Sequence, residues 1–223
     1  MYDTANGVRS GRDRGRAAVT AAVLLVALLL SACAAVPQSV HREVALVAVE
    51  RDGEPIAQAE EIGTEDTPDG IAYGVTDDQA GFLVRFDQHF VDIQFENRTR
   101  NNLWIVLDES AFIDTDRNAH DLAVPGGLLG STSSGQRRIM VPPDARRQLR
   151  VGVATGSSAI GFSRPLIPID RHGRTASVQQ AEQHIGKTVA VLLQLQREET
   201  RSIYALIGQL KRVNVGGDWI PSR

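Results

Sequence analysis

Cys33 carries the only thiol in the chain. Leu30, Ser31 and Ala32 stand immediately before it, so two small side chains adjoin the sulfur. A thiol is a nucleophile in its deprotonated form, and what it attacks depends on the segment that delivers it. That segment begins with Arg9, Arg12, Arg14 and Arg16 and continues as an apolar run, Ala17 to Leu30, interrupted only by Thr20. Positive charge followed by a short apolar stretch and small residues is the order of a secretory signal.

Leu30-Ser31-Ala32-Cys33 resembles the lipobox of bacterial lipoproteins. The resemblance implies that the Cys33 thiol accepts a diacylglyceryl group and becomes the mature N-terminus once residues 1–32 are removed. One acyl chain holds a protein only marginally and two hold it stably, so the lipid alone would suffice as an anchor. The competing reading is an uncleaved membrane helix, because 17–36 is uncharged over about 20 residues, enough to cross a bilayer. Against it, the leucine-rich part ends at Leu30 and small residues follow. No two arginines are adjacent in the leader, which disfavours twin-arginine export. Ala34 rather than aspartate follows Cys33, which favours the outer membrane, facing the periplasm, in a cell with two membranes.

Without residues 1–32, which hold four arginines and two aspartates, 20 basic and 25 acidic side chains remain, a formal charge of −5. That balance argues against a nucleic-acid partner. The remaining 191 residues are enough for one substantial core. With its one cysteine committed to lipid, the exported part has neither a disulfide nor a thiolate ligand.

The expected organisation is a lipidated cysteine and tether at 33–43, an irregular N-terminal arm at 44–81 with a possible strand over Val44–Val49, a β-sandwich at 82–215 and a tail at 216–223. The tether from Ala34 to His41 reaches about 25 Å at most when fully extended. Residues 51–70 are acidic and hold Gly53, Pro55, Gly63, Pro68 and Gly70, which predicts mostly loop with a helical turn through Ala57 to Glu61. Val91-Asp92-Ile93-Gln94-Phe95-Glu96 alternates as a half-buried strand must. Leu103 to Leu107 is expected as a strand buried on both faces, with Trp104 in the core. Ala111–Ile113 and His120–Val124 flank a polar hairpin connection. Pro125–Gly135 is expected as a surface loop. Pro142-Pro143 after Ile139–Val141 excludes a central strand there, and Leu149–Val153 is a further short strand. Ser177 and Gln180 fit a capping box and Gly186 a helix end, predicting one short helix over Val178–Ile185. Thr188–Leu195 and Ser202–Val213 predict a long hairpin around Arg197–Thr200. The fold class that follows is all-β, a sandwich of antiparallel strands.

Several pieces, in their order, resemble a group of bacterial lipoproteins with an immunoglobulin-like sandwich domain. They are Asn97-Arg98-Thr99 after the alternating strand, Asp108-Glu109-Ser110-Ala111-Phe112-Ile113-Asp114 with His120 beyond, Val141-Pro142-Pro143, Arg164-Pro165-Leu166-Ile167-Pro168, and Gly186-Lys187 with Tyr204 in the partner strand. They span Val91 to Val213. The chain departs from the pattern at Asn118, where a turn glycine is usual, and in its loop 126–135. The resemblance implies an immunoglobulin-like β-sandwich and an envelope location, and it carries no catalytic residues.

The sequence holds few residues spaced for catalysis. Neither Gly-x-Ser-x-Gly nor Ser-x-x-Lys occurs, no His-Glu-x-x-His pair is present, and His41, His89, His120, His172 and His184 are scattered. Asp114, Asp116 and Asn118 match the first ligand positions of a calcium loop, but Ala119 and Pro125 replace its glycine and its bidentate glutamate. A turn bonded to its own backbone fits better, so no metal and no cofactor are expected. Arg137, Arg138, Arg146, Arg147 and Arg150 bracket Pro142-Pro143. They suit either phosphate headgroups or, as the preferred reading, a charged edge that resists aggregation. Asn97-Arg98-Thr99 is formally a glycosylation sequon and is better taken as turn chemistry. Trp219, beside Gly217 and Pro221, would cover the end of the sandwich or meet a partner.

The function expected is therefore non-enzymatic: a membrane-anchored lipoprotein that binds or scaffolds another envelope component. A carrier or sensor of a small or lipidic ligand is the alternative and would need an apolar cavity; an envelope enzyme is the weaker one and would need a buried acid–histidine pair. The anchor is checked by metabolic palmitate labelling. Cys33→Ser is expected to abolish the label, and a variant that stays labelled removes the lipobox reading.

Overall fold

A computed structural model describes residues 40–124, 138–153, 166–167, 182–215 and 218–221. Its strands are β1 (Val40–Arg51), β2 (Glu54–Gln58), β3 (Gly63–Thr67), β4 (Gly70–Thr76), β5 (Ala80–Phe86), β6 (Phe90–Asn97), β7 (Leu103–Val106), β8 (Ala111–Ile113), β9 (Ala119–Ala123), β10 (Arg138–Val141), β11 (Arg146–Val153), β12 (Thr188–Arg197), β13 (Thr200–Val215) and β14 (Asp218–Pro221). Every pairing among them is antiparallel. The all-β expectation holds.

The strands form one continuous curled path, β2-β1-β13-β12-β8-β9-β11-β6-β5-β4-β3, with β7 and β10 attached beside β12 and β14 beside β13. The turn of this path is at β9, which pairs with β8 on one half and with β11 on the other. The two halves then face each other. Phe82 of β5 packs at a tilt against Tyr204 of β13 with ring centroids 5.0 Å apart, and Phe95 of β6 lies edge-on to Phe82 at 5.6 Å.

Strand β13 is the axis of the first half. Its Tyr204, Leu206 and Leu210 are all fully buried, and it pairs with β1, β12 and β14. Gly208 belongs to the same inward row. A methyl group added there would lie 2.7 Å from Phe86 Cζ and 2.8 Å from Val44 Cγ1. Glycine is required so that Phe86 of the facing half can lie against the β13 backbone.

Several expectations are met residue by residue. In β6, Val91, Ile93, Phe95 and Asn97 are buried and alternate with half-buried Asp92, Gln94 and Glu96. The β12–β13 hairpin forms around Glu198 and Glu199, with Arg197 opposite Thr200. Strands β8 and β9 flank the Asp114–Asn118 turn, and β10 stops at Val141 before the two prolines.

Other expectations are corrected. Residues 51–70, predicted to be mostly loop with a helical turn, hold two strands, β2 and β3. Asp52 and Gly53 have φ of +55° and +85°, the left-handed conformation that an Asp-Gly hairpin turn needs. Pro68 and Asp69 turn β3 back into β4, whose Gly70 has φ +124°. Strand β1 starts at Val40, four residues before the predicted Val44, and pairs with β13 throughout. The residues expected as an irregular arm thus belong to the same sheet, and Val44, Leu46, Val49, Tyr73 and Val75 are core. Trp104, expected in the core, is 36% exposed because β7 turns that side chain outward while Ile105 faces in. The strand also ends at Val106, since Leu107–Glu109 form a short 3-10 turn. Of the predicted helix Val178–Ile185, residues 178–181 lie outside the described part; Glu182 is helical and a turn follows to Gly186 at φ +86°. The loop Pro125–Gly135 and Arg164-Pro165 also lie outside it.

Gly208→Ala is expected to destabilise the fold by about 1–3 kcal/mol, the usual cost of overpacking a filled interior. A lowered urea midpoint at unchanged slope would show it. An unchanged midpoint would mean that Phe86 moves aside at no cost.

Candidate functional site

The end of the molecule where β6, β7, β10 and β12 meet is built around Asn97. This side chain is fully buried and uses its whole hydrogen-bonding capacity. Nδ2 donates to the carbonyls of Asn101 and Val141, both at 2.8 Å. Oδ1 accepts from the Thr99 amide at 2.9 Å and the Thr99 hydroxyl at 2.8 Å. The Asn97 amide also donates to the Ala145 carbonyl at 3.0 Å, and the Asp144 amide to the Asn97 carbonyl at 2.9 Å. Two buried amide protons and two lone pairs are all satisfied, which a buried amide needs if it is not to cost stability. The Asn97-Arg98-Thr99 turn thereby fixes the last residue of β10 against the end of β6.

Strand β7 is held from the other side. Ser110 Oγ donates to the Val106 carbonyl at 2.8 Å and accepts from the Gln194 amide of β12 at 3.0 Å. Between these two clamps, Trp104 and Met140 are direct cross-strand partners, and Gln196 lies opposite Trp104 on the other flank. Trp104 is 36% and Met140 46% exposed. Among the described residues β10 pairs with β7 alone, so this apolar pair sits on an edge. Sequence reasoning missed it, because a tryptophan inside Leu-Trp-Ile-Val carries no mark of which face it takes.

The same end carries a second polar network. Tyr204 Oη donates to Asp77 Oδ2 at 2.9 Å, and Arg51 Nη1 donates to the same oxygen at 2.8 Å. Asp77 Oδ1 accepts the amides of Gln79 and Ala80 at 2.8 and 2.7 Å, shaping the β4–β5 turn. Burial, and then the bond to Asp77 against an opposing effect of Arg51, raises the Tyr204 pKa well above the ordinary phenol. The hydroxyl is a permanent donor. Nothing in the sequence links Asp77 to a tyrosine 127 positions away.

The acid–histidine pair that would favour an enzyme does exist. His120 Nε2 and Asp114 Oδ2 are 2.8 Å apart, with the aspartate side chain 9% exposed. Burial pushes the Asp114 carboxyl up, but the hydrogen bonds from His120 and Asn118 outweigh it and hold the pKa down at about 2. The carboxylate is consumed by its own turn: Oδ1 accepts the amides of Asp116 and Asn118, each at 2.9 Å, and Asn118 Nδ2 reaches both oxygens. It is a hairpin clamp, as the turn reading of Asp114–Asn118 expects. Among the described residues no group of three or more His, Cys, Asp and Glu side chains is placed to hold a metal.

The arginine cluster is partly spent on cross-strand pairs. Arg146 Nε donates to Glu96 at 2.9 Å, and Arg150 donates through Nε and Nη2 to Asp92 at 2.5 and 2.9 Å. Asp92 is also bonded to Arg85, and although burial pushes its pKa up, the two arginines leave it lowered. Arg138 and Arg147 are exposed, and Arg137 lies outside the described residues. So do Leu30, Ser31, Ala32, Cys33 and His172.

Two of the clefts among the described residues bear on a binding role. One of about 560 Å³ lies over β4 and β5, rimmed by Glu61, Glu65, Glu96 and Arg146. The other, about 390 Å³, is at the far end of β13 and includes His41, Ile71 and Trp219. No protein-family model, curated protein or solved structure matches this chain.

Asp114 yields a pH prediction. Its folded pKa is depressed from 3.8 to about 2, so its contribution is present above pH 4 and lost as the pH falls toward 2. Between pH 5 and pH 2 the wild type should lose about 2 kcal/mol more stability than Asp114→Asn. Urea titrations at the two pH values measure this, and equal losses would show that the turn does not depend on the charge.

Proposed function

We propose that the chain is a bacterial lipoprotein, anchored in the outer membrane through Cys33, whose immunoglobulin-like sandwich binds or scaffolds another component of the cell envelope without catalysing a reaction. The observation that carries the binding role is the exposed Trp104–Met140 pair on the β7–β10 edge. Tryptophan and methionine supply large contact area at interfaces, and surface patches of this kind mark partner sites. The residues beneath the pair are clamped by Asn97 and Ser110, so the surface is rigid before a partner arrives, and little ordering cost remains at binding.

An immunoglobulin-like reading is supported by the two facing halves and by the Phe82–Tyr204 contact between them. Strand β9 passes between the halves and would close one side of such a sandwich. A scaffolding role rather than an enzymatic one is supported by what half-buried Asp77 and buried Asp114 do, since each holds a turn.

The test places a photo-crosslinking amino acid at Met140 in the full-length protein in living cells. A single adduct of defined mass is expected, and it should disappear in a Trp104→Ser variant that is still lipidated and folded. Absence of any adduct, with lipidation and folding intact, would overturn the scaffold reading and direct the search to small or lipidic ligands.

A further inference from the structure

We infer that the end of the body formed by His41, Ile71, Arg212 and Trp219 is seated on the bilayer, with the Trp219 indole at the level of the lipid headgroups. This inference rests on the lipid-anchor reading.

Among the described residues, five large apolar side chains are exposed, and two of them, Ile71 at 42% and Trp219 at 47%, line this one cleft. They come from distant parts of the chain, β4 and β14, and are brought together where β1 begins. The rim mixes charges of both signs. Arg212 is bonded to Glu43 on the neighbouring strand and lies over the Trp219 ring at 4.6 Å. Arg85 Nη1 donates to the Asp69 carbonyl at 2.8 Å. Tryptophan beside arginine, with an apolar body and a polar margin, is the chemistry of the membrane–water interface.

Chain length identifies the occupant. His41 is part of the cleft, and β1 starts at Val40. Six residues lie between Cys33 and Val40, and the seven Cα steps they make reach roughly 25 Å at most. The cleft therefore cannot leave the neighbourhood of the lipid, and a tether this short gives an effective concentration in the millimolar range. Weak interfacial affinity is then enough to seat it. The opposite end, with Trp104 and Met140, lies up to roughly 50 Å away along the 16 residues of β13. Because Arg85 and Arg212 of the cleft already have carbonyl or carboxylate partners, zwitterionic lipid should serve as well as anionic lipid.

The experiment uses the full lipidated protein in phosphatidylcholine vesicles, with and without phosphatidylcholine brominated near the headgroup end of its acyl chains. The chain has two tryptophans, so Trp104→Phe leaves Trp219 as the sole indole and Trp219→Phe leaves Trp104. The expected result is loss of Trp219 fluorescence in brominated vesicles and unchanged Trp104 fluorescence. Circular dichroism and vesicle flotation accompany each sample. If the protein floats with the vesicles but Trp219 is equally bright in both, the seating is overturned and the anchor stands. Quenching of both indoles would mean a body lying flat, which also overturns it. A folded protein that does not float overturns the anchor reading and this inference together.

Discussion

The buried hydroxyl of Tyr204 decides how the two halves of this sheet lie. It projects from β13 in one half and must find an acceptor, because an unpaired hydroxyl in the interior would cost on the order of 1–3 kcal/mol. The acceptor is Asp77 in the β4–β5 turn of the other half. Asp77 can serve because its second oxygen is already fixed by the Gln79 and Ala80 amides, and Arg51 balances its charge. The turn, the tyrosine and the arginine thus hold three strands in one geometry. Phe82 fills the space beneath them, with its ring 5.0 Å from that of Tyr204.

From that point the inward row of β13 sets the thickness of the molecule. Tyr204 and Leu206 keep the halves apart at one end, and Gly208 lets Phe86 come up against the backbone further along. Cross-strand ion pairs then finish the outer face of the second half, where Asp92 is shared by Arg85 and Arg150. The arginines read in the sequence as a charged edge, with headgroup binding as the alternative, are drawn into this ladder at Arg146 and Arg150, a matter of register that spacing alone does not reveal.

The legible elements were those whose pattern is local. Strand β6 alternates without a break, the β12–β13 hairpin is β-branched and long, and the Asp114–Asn118 turn carries its own hydrogen-bonding side chains. Strand β1 was less legible because register shifts between Glu43 and Val44 and between Leu46 and Ala48 move its buried residues off period two. Strands β2 and β3 are edges, and β3, Gly63–Thr67, is exposed at every residue but one. A strand without an apolar face is recognised only by its partner. The Asp52-Gly53 turn was a usable signal, outweighed by the acidic composition around it. For the candidate site, Asn97-Arg98-Thr99 was readable as a turn, but its depth was not, and the outward face of Trp104 depends on where an edge falls.

The Asn97 turn bears on where such a chain can be made. Its three residues spell an acceptor for oligosaccharide transfer, and the nitrogen that would carry the sugar is Nδ2, which here donates to the carbonyls of Asn101 and Val141. A glycan on that atom would remove one proton and place a bulky polar group in the interior. Biosynthesis in a compartment with an oligosaccharyltransferase would become a race between enzyme and fold for a single atom. In a secretion route without that enzyme the motif is free to serve as masonry.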